Sequence, residues 1–173
     1  MIIMINGAFG VGKTTAAEKL VRAIPDSMLF DPEEVGYMLR AILAGTVTGP
    51  ENTGDFQDFE LWKVLTVQVA EQLISRYGKH LIVPMTLYKR SNYDYIRDGF
   101  NRLDVRTYYF CLLASEAAIY ERLRARGEKE GQWVFRQTKR CVEALRDPVF
   151  AEYIDTESLV PEAIVDYIQA AVR

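Results

Sequence analysis

The chain is poor in the residues that build metal centres and covalent frameworks. Among its 173 residues there is one histidine, His80, and there are two cysteines, Cys111 and Cys141. A structural zinc site needs about four cysteine or histidine ligands, so that familiar class is excluded. The cysteines sit in separate apolar segments, which reads as reduced core thiols and not as a disulfide frame. No run of about 18 apolar residues occurs, so no membrane-spanning helix is expected. No charged leader precedes the first apolar run, and a cytoplasmic protein is expected. There is no basic excess either: 21 Lys and Arg stand against 24 Asp and Glu, a net charge of −3. A duplex-binding surface is therefore not expected, and nucleic acid is not an expected partner. Repeats and low-complexity tracts are missing. With 49% hydrophobic and 26% charged residues, wholesale disorder is excluded. The length suits one domain over 1–173, large enough to bury roughly two-thirds of its unfolded surface.

What is present begins near the start. Residues 7–14 read Gly-Ala-Phe-Gly-Val-Gly-Lys-Thr, a complete G-x-x-x-x-G-K-[ST] loop. Its glycines let backbone N–H groups curl around phosphates, its lysine reaches the β- and γ-phosphates, and its threonine hydroxyl suits Mg²⁺. Gly7, Ala8, Phe9, Gly10, Val11, Gly12, Lys13, Thr14 and Thr15 are thus the expected contacts for ATP, with Thr14 as a metal ligand. The loop needs a strand before it and a helix after it. The run Ile2-Ile3-Met4-Ile5 supplies a buried-type strand over 2–6. Helical spacing over about 13–24, stopped by Pro25, supplies the helix.

Strands and helices alternate along the rest. Strands are predicted at 28–30, 81–83, 107–113 and 152–155. Helices are predicted from Pro32 to about 44, over 55–77, 91–103, 115–126, 133–146 and 161–172. Residues 45–54 are turn formers and read as a loop. In the 55–77 helix, Phe59, Trp62, Leu65, Val69, Leu73 and Tyr77 fall three and four apart and are the expected buried stripe. The βαβα rhythm predicts a mainly parallel sheet covered by helices.

Asp31 closes the second strand, where ligands of open parallel sheets bind. A carboxylate there can take a proton from an acceptor hydroxyl, hold Mg²⁺, or cap the helix that Pro32 starts. One more absence matters at this point. P-loop NTPases usually carry an acid after a second apolar strand; here that strand reads His80-Leu81-Ile82-Val83-Pro84-Met85-Thr86. A motor, a switch GTPase and a large ATPase are disfavoured, whereas a small kinase fits. Thr86 either touches substrate or caps the turn. Arg122, Arg126, Arg136 and Arg140 flank a charged loop over 127–132, a pattern that suits a lid clamping phosphates as much as a solvated helix face. Tyr37, Arg40, Trp62, Met85 and Thr86 are the expected acceptor pocket, with the 45–78 segment on the substrate side.

Taken together, the 1–14 opening, Asp31-Pro32-Glu33 followed by Gly36 and Leu39-Arg40, the Ile82–Thr86 strand end, and Arg140-Cys141-Val142-Glu143 resemble the tunicamycin-resistance protein family over nearly the whole chain. More remotely the layout is similar to shikimate kinase, adenylate kinase and chloramphenicol phosphotransferase. The resemblance implies an α/β P-loop NTPase three-layer sandwich, with a five-stranded parallel sheet in order 2-3-1-4-5, helices on both faces and a lid over 122–140. It implies Asp31 as the carboxylate for the acceptor hydroxyl, Arg122 and Arg126 as the adenine-side and phosphate-side arginines before the lid, and Arg136 and Arg140 as arginines after it. It also implies an ATP- and Mg²⁺-dependent phosphotransferase acting on a small molecule such as tunicamycin. The alternatives are a nucleotide-gated binder that sequesters the antibiotic, and a housekeeping nucleoside or metabolite kinase. That family has been associated with membrane attachment through a terminal amphipathic helix. In this chain Ile164, Val165, Ile168 and Val172 are expected to be core contacts, so no membrane attachment is expected.

Overall fold

The computed structural model describes residues 1–129, 131, 133–150 and 152–173. Of the expected 127–132 loop, Glu130 and Gln132 lie outside the described residues. Five strands form one parallel sheet: β1 (Ile2–Gly7), β2 (Ser27–Leu29), β3 (His80–Met85), β4 (Thr107–Leu113) and β5 (Tyr153–Asp155), in the order β2-β3-β1-β4-β5. The sheet order matches the expectation. β1 is central and buried along its whole length, which is why its sequence runs apolar without alternation. Its register sets Ile2 beside Leu81 on one side and Thr107 on the other.

Pro84 lies inside β3, beside Ile5. Ile82 turns its carbonyl toward β2, accepting from Phe30 N, and Pro84 faces the same way two residues on. By then β2 has ended at Leu29, so the missing N–H of Pro84 leaves no gap in the ladder.

The helices are α1 (Lys13–Ala23), α2 (Pro32–Ile42), α3 (Glu60–Tyr77), α4 (Arg90–Leu103), α5 (Glu116–Ala125), α6 (Trp133–Ala144) and α7 (Pro161–Ala171). α1 packs on α7, and α3 packs on α4. Right-handed crossovers put these pairs on opposite faces of the sheet. Ile164, Val165 and Ile168 of α7 are buried against that core and Val172 packs at its edge, as expected. Ser115 caps α5, accepting from Ala118 N.

Two expectations over 55–77 are corrected. The segment is a short 3₁₀ turn, Phe56–Asp58, followed by α3, not one helix. Asp55 causes the break: its carboxylate accepts from Gln57 N and caps the turn, an arrangement that competes with helix. The buried face of α3 is Trp62, Thr66 and Ala70. Leu65, Val69 and Leu73 are only partly buried, and Tyr77 is exposed. Beside this line α4 approaches closely at its own Gly99, where an added Cβ would stand 2.5 Å from Val67.

Candidate active site

The site begins where β1 hands over to α1. Asn6 is buried at the end of β1. Its Oδ1 accepts from Gly7 N and Leu87 N, each at 2.8 Å, and its Nδ2 donates to Leu87 O at 2.9 Å. One side chain thus ties the entrance of the glycine loop to the connection after β3. The loop then turns through Gly12, whose φ of 109° is left-handed backbone that a residue with a Cβ rarely adopts. Lys13 folds back over the loop. Its Nζ donates to Ala8 O at 2.9 Å and stands 5.7 Å from the Phe9 ring centroid. Burial pushes the Lys13 pKa down, opposed first by Glu33 and then, with smaller effects, by Cys141, Asp31 and Cys111. Thr14 and Thr15 are exposed on the first turn of α1.

Across from Lys13 stand two carboxylates. Asp31 caps α2, its Oδ1 accepting from Glu33 N at 2.9 Å. Burial is the main cause that raises its pKa; Glu34 adds to the rise, while the Glu33 N–H and Lys13 oppose it. Glu33 is also raised by burial, with Lys13 opposing and Asp31 reinforcing. Tyr37 donates its hydroxyl to Glu33 Oε2 at 3.3 Å. A half-buried carboxylate with a raised pKa is a stronger base than a solvated one, which suits proton transfer. In the sequence Glu33 stood only as part of the Asp31-Pro32-Glu33 stretch, with no role of its own. The Asp-x-Glu spacing after a strand was the signal that could have found it.

Two cavities flank the glycine loop. One, about 420 Å³, is bounded by Gly10, Val11, Gly12 and Thr15 of the loop and by Arg122, Arg126 and Thr156. The other, about 400 Å³, is bounded by Phe9 on the loop side and by Glu33, Tyr37, Arg40, Phe56, Gln57 and Trp133. Phe9 meets Trp133 edge to face at 5.4 Å, so the loop and α6 close the second cavity together.

The structure disperses the four arginines. Arg122 is held in the first cavity, donating to Thr156 Oγ1 at 2.9 Å, Thr156 O at 2.7 Å and Val11 O at 3.3 Å. Arg126 ends α5 and lines the same cavity. Arg136 is exposed and donates to Gly131 O at 3.1 Å. Arg140 lies over the Tyr88 ring at 5.2 Å.

Of the expected acceptor residues, Tyr37 and Arg40 do line the second cavity. Arg40 donates to Gly54 O at 3.0 Å and stacks 5.5 Å from the Phe56 ring. Phe56 itself lies against Gly36, where a Cβ would stand 2.4 Å from the ring. Trp62 and Met85 are placed in the core, each 1% exposed, and neither bounds this cavity; the Trp62 Nε1 donates to Pro32 O at 2.9 Å. Thr86 is buried beside the cavity floor, its carbonyl accepting from Gln57 Nε2 at 2.8 Å. Gln57, Trp133 and Thr156 carried no local signal; they reach the site only through the fold.

Comparison with known proteins agrees with this geometry. Residues 2–148 match the family model described as AAA domain. The structure of the tunicamycin resistance protein of Deinococcus radiodurans superposes with a TM-score of 0.80 at 30% identity, covering 99% of this chain and 94% of that one. A gluconokinase from Sinorhizobium meliloti 1021 follows at 0.67 and 20% identity, covering 98% and 90%. A deoxyadenosine kinase from M. mycoides shares the fold at 0.53 and 15% identity, covering 99% and 98%. A comparison with curated protein sequences gives no significant match. Among the described residues no helix is long and apolar enough to cross a membrane.

Proposed function

The chain belongs to the AAA domain family and to the P-loop group that includes the tunicamycin resistance protein, and from that premise we propose that it is an ATP- and Mg²⁺-dependent phosphotransferase acting on a hydroxyl of a small molecule, with tunicamycin the first candidate. The observation that carries this reading is the pair of cavities on opposite sides of the glycine loop, with Lys13 and two carboxylates nearby. Transfer between two bound molecules needs two beds and a charge-stabilising centre close to both.

The nucleotide lies in the Gly10–Arg126 cavity, against Arg122 and Arg126. Lys13 exchanges the Ala8 carbonyl for phosphate oxygens. The acceptor lies in the Phe9–Trp133 cavity. Its hydroxyl oxygen forms the new bond to the γ-phosphorus as the bond to the β–γ bridging oxygen breaks and ADP leaves. Glu33, on that cavity's wall, takes the hydroxyl proton. No cluster of three or more His, Cys, Asp or Glu able to hold a metal exists among the described residues. The Asp31 carboxylate with the Thr14 hydroxyl fits Mg²⁺, which is commonly held by one or two carboxylates together with substrate phosphates. Thr14 and Asp31 would hold it, and the ion would offset charge on the β- and γ-phosphates.

The test is to incubate the purified protein with Mg-ATP and tunicamycin and to weigh the antibiotic by mass spectrometry. A mass gain of one phosphoryl group is expected, accumulating far more slowly with Lys13→Ala. An unchanged mass, with ATP-dependent retention of the antibiotic, would replace transfer by sequestration.

A further inference from the structure

Glu33 and Tyr37 stand one turn apart on the same side of α2. Helical Cα–Cβ bonds tilt toward the N-terminus, so the later side chain leans back over the earlier one. Tyr37 uses that tilt. Its hydroxyl donates to Glu33 Oε2 at 3.3 Å, and no other hydrogen bond reaches the Glu33 carboxylate among the described residues. An ionised carboxylate only accepts, so the proton in this contact is the tyrosine's. Oε1 is left without a hydrogen-bond partner among those residues.

The tyrosine is 47% exposed, yet its ring is held from two sides. Phe56 meets it edge to face at 5.8 Å and 81°, and the Arg40 guanidinium lies 5.8 Å from its centroid. Both holders are fixed in turn. Phe56 closes on Gly36, where a Cβ would stand 2.4 Å from the ring, and Arg40 is tied to Gly54 O at 3.0 Å. A solvated helix residue gains little from such a clamp. A group that must present its tip at one point gains much, because its supporting contacts set its geometry.

Both residues line the Phe9–Trp133 cavity. An unheld glutamate spreads its carboxylate over several rotamers, and ordering it costs entropy. General-base work needs one oxygen within hydrogen-bond reach of the proton it takes, and a displacement of about 1 Å is costly there. A donor fixed on the other oxygen removes much of that freedom before the acceptor arrives.

We propose that Tyr37 is a positioning residue for Glu33: its hydroxyl holds Oε2 and leaves Oε1 as the oxygen that takes the acceptor's proton. The proposal rests on the reading of Glu33 as the base. It gives the Tyr37 hydroxyl no contact with the acceptor, which separates this role from stacking. The ring of a Tyr37→Phe variant would still stack, but it could not hold Oε2.

The experiment is a double-mutant cycle in steady-state kinetics, with saturating Mg-ATP and varied tunicamycin. It compares wild type, Tyr37→Phe, Glu33→Gln and the double variant, each checked for folding by circular dichroism. Tyr37→Phe is expected to lower kcat about 3–10-fold, the worth of one hydrogen bond. The tunicamycin KM should stay within about twofold of wild type, since ground-state binding is untouched. In the Glu33→Gln background the same change is expected to lower kcat no further, because a residue that acts through Glu33 then has nothing to position. Wild-type kcat in Tyr37→Phe, a change confined to KM, or an equal loss of kcat in both backgrounds would each overturn the proposal while leaving Glu33 as the base. Wild-type kcat in Glu33→Gln, or no transfer to tunicamycin by any of the four proteins, would instead sink the base reading, and the proposal with it.

Discussion

The two cavities beside the glycine loop are built on opposite principles. The nucleotide-side cavity takes its phosphate end from contiguous loop residues, Gly10–Gly12, and one of its two arginines, Arg122, is tied to the main chain at Thr156 and Val11. The acceptor-side cavity is bounded by side chains from separated segments: Phe9, one side of α2, the 3₁₀ turn and α6. A bed made of backbone tolerates little variation in its sequence, because the glycines and the lysine are fixed by geometry. A bed made of side chains can be re-lined without refolding. The first therefore suits a constant partner and the second a variable one.

The sharpest test of this division lies at its centre. Lys13→Ala is expected to lower turnover by about 10²–10³-fold, since it removes a charge aimed at the phosphoryl group, while leaving acceptor affinity near wild type in calorimetry. A larger loss of acceptor affinity than of turnover would break the division. Next come the carboxylates. Glu33→Gln should lower kcat by about 10²-fold, the usual yield of a general base, with nucleotide affinity unchanged. The same variant should melt slightly higher at neutral pH, by about 2–4 °C, because burial holds the folded Glu33 pKa above its ordinary value of 4.5 and the ionised wild-type group is disfavoured in the fold. That gain should be full above the raised folded pKa and should vanish as pH falls through it to below 4.5. Melting curves at several pH values check the sign.

A smaller effect separates the two beds directly. Arg122→Ala should weaken nucleotide binding about tenfold, the loss of a charge-assisted contact, and should leave the acceptor KM alone. Arg40→Ala should do the reverse, raising the acceptor KM about 3–10-fold through lost stacking with nucleotide affinity intact. Steady-state kinetics with each substrate varied in turn would show crossed effects if the cavities were one site.

The same contrast explains what the sequence could disclose. The parallel sheet followed from strand-helix alternation, because crossover handedness leaves few ways to arrange such a chain, and its order followed from the family resemblance. The phosphate end of the nucleotide bed was legible because residues adjacent in sequence, Gly7–Thr15, build it; its Thr156 wall was not. The acceptor bed was not. Tyr37 and Arg40 were found because they share one helix side, but Gln57, Trp133 and the role of Glu33 depend on packing between distant segments. Trp62 and Met85 were mistaken for lining because aromatic and sulfur side chains look alike in core and pocket. In α3 the large apolar residues drew attention away from the inward line of Trp62, Thr66 and Ala70. Thr66 and Ala70 carry little apolar bulk, and a stripe sought by large apolar residues passes them over.

Asn6 has a consequence that reaches past either cavity. Its carboxamide holds Gly7 on one side and both backbone groups of Leu87 on the other. The residue before Leu87, Thr86, holds Gln57. A continuous hydrogen-bonded line therefore runs from the phosphate loop to the acceptor floor and works as a gauge block that fixes the span between them. In-line transfer is sensitive to about 1 Å of misplacement. With the span set by one buried amide, the cavity walls are free to drift toward new acceptors while the transfer distance stays constant.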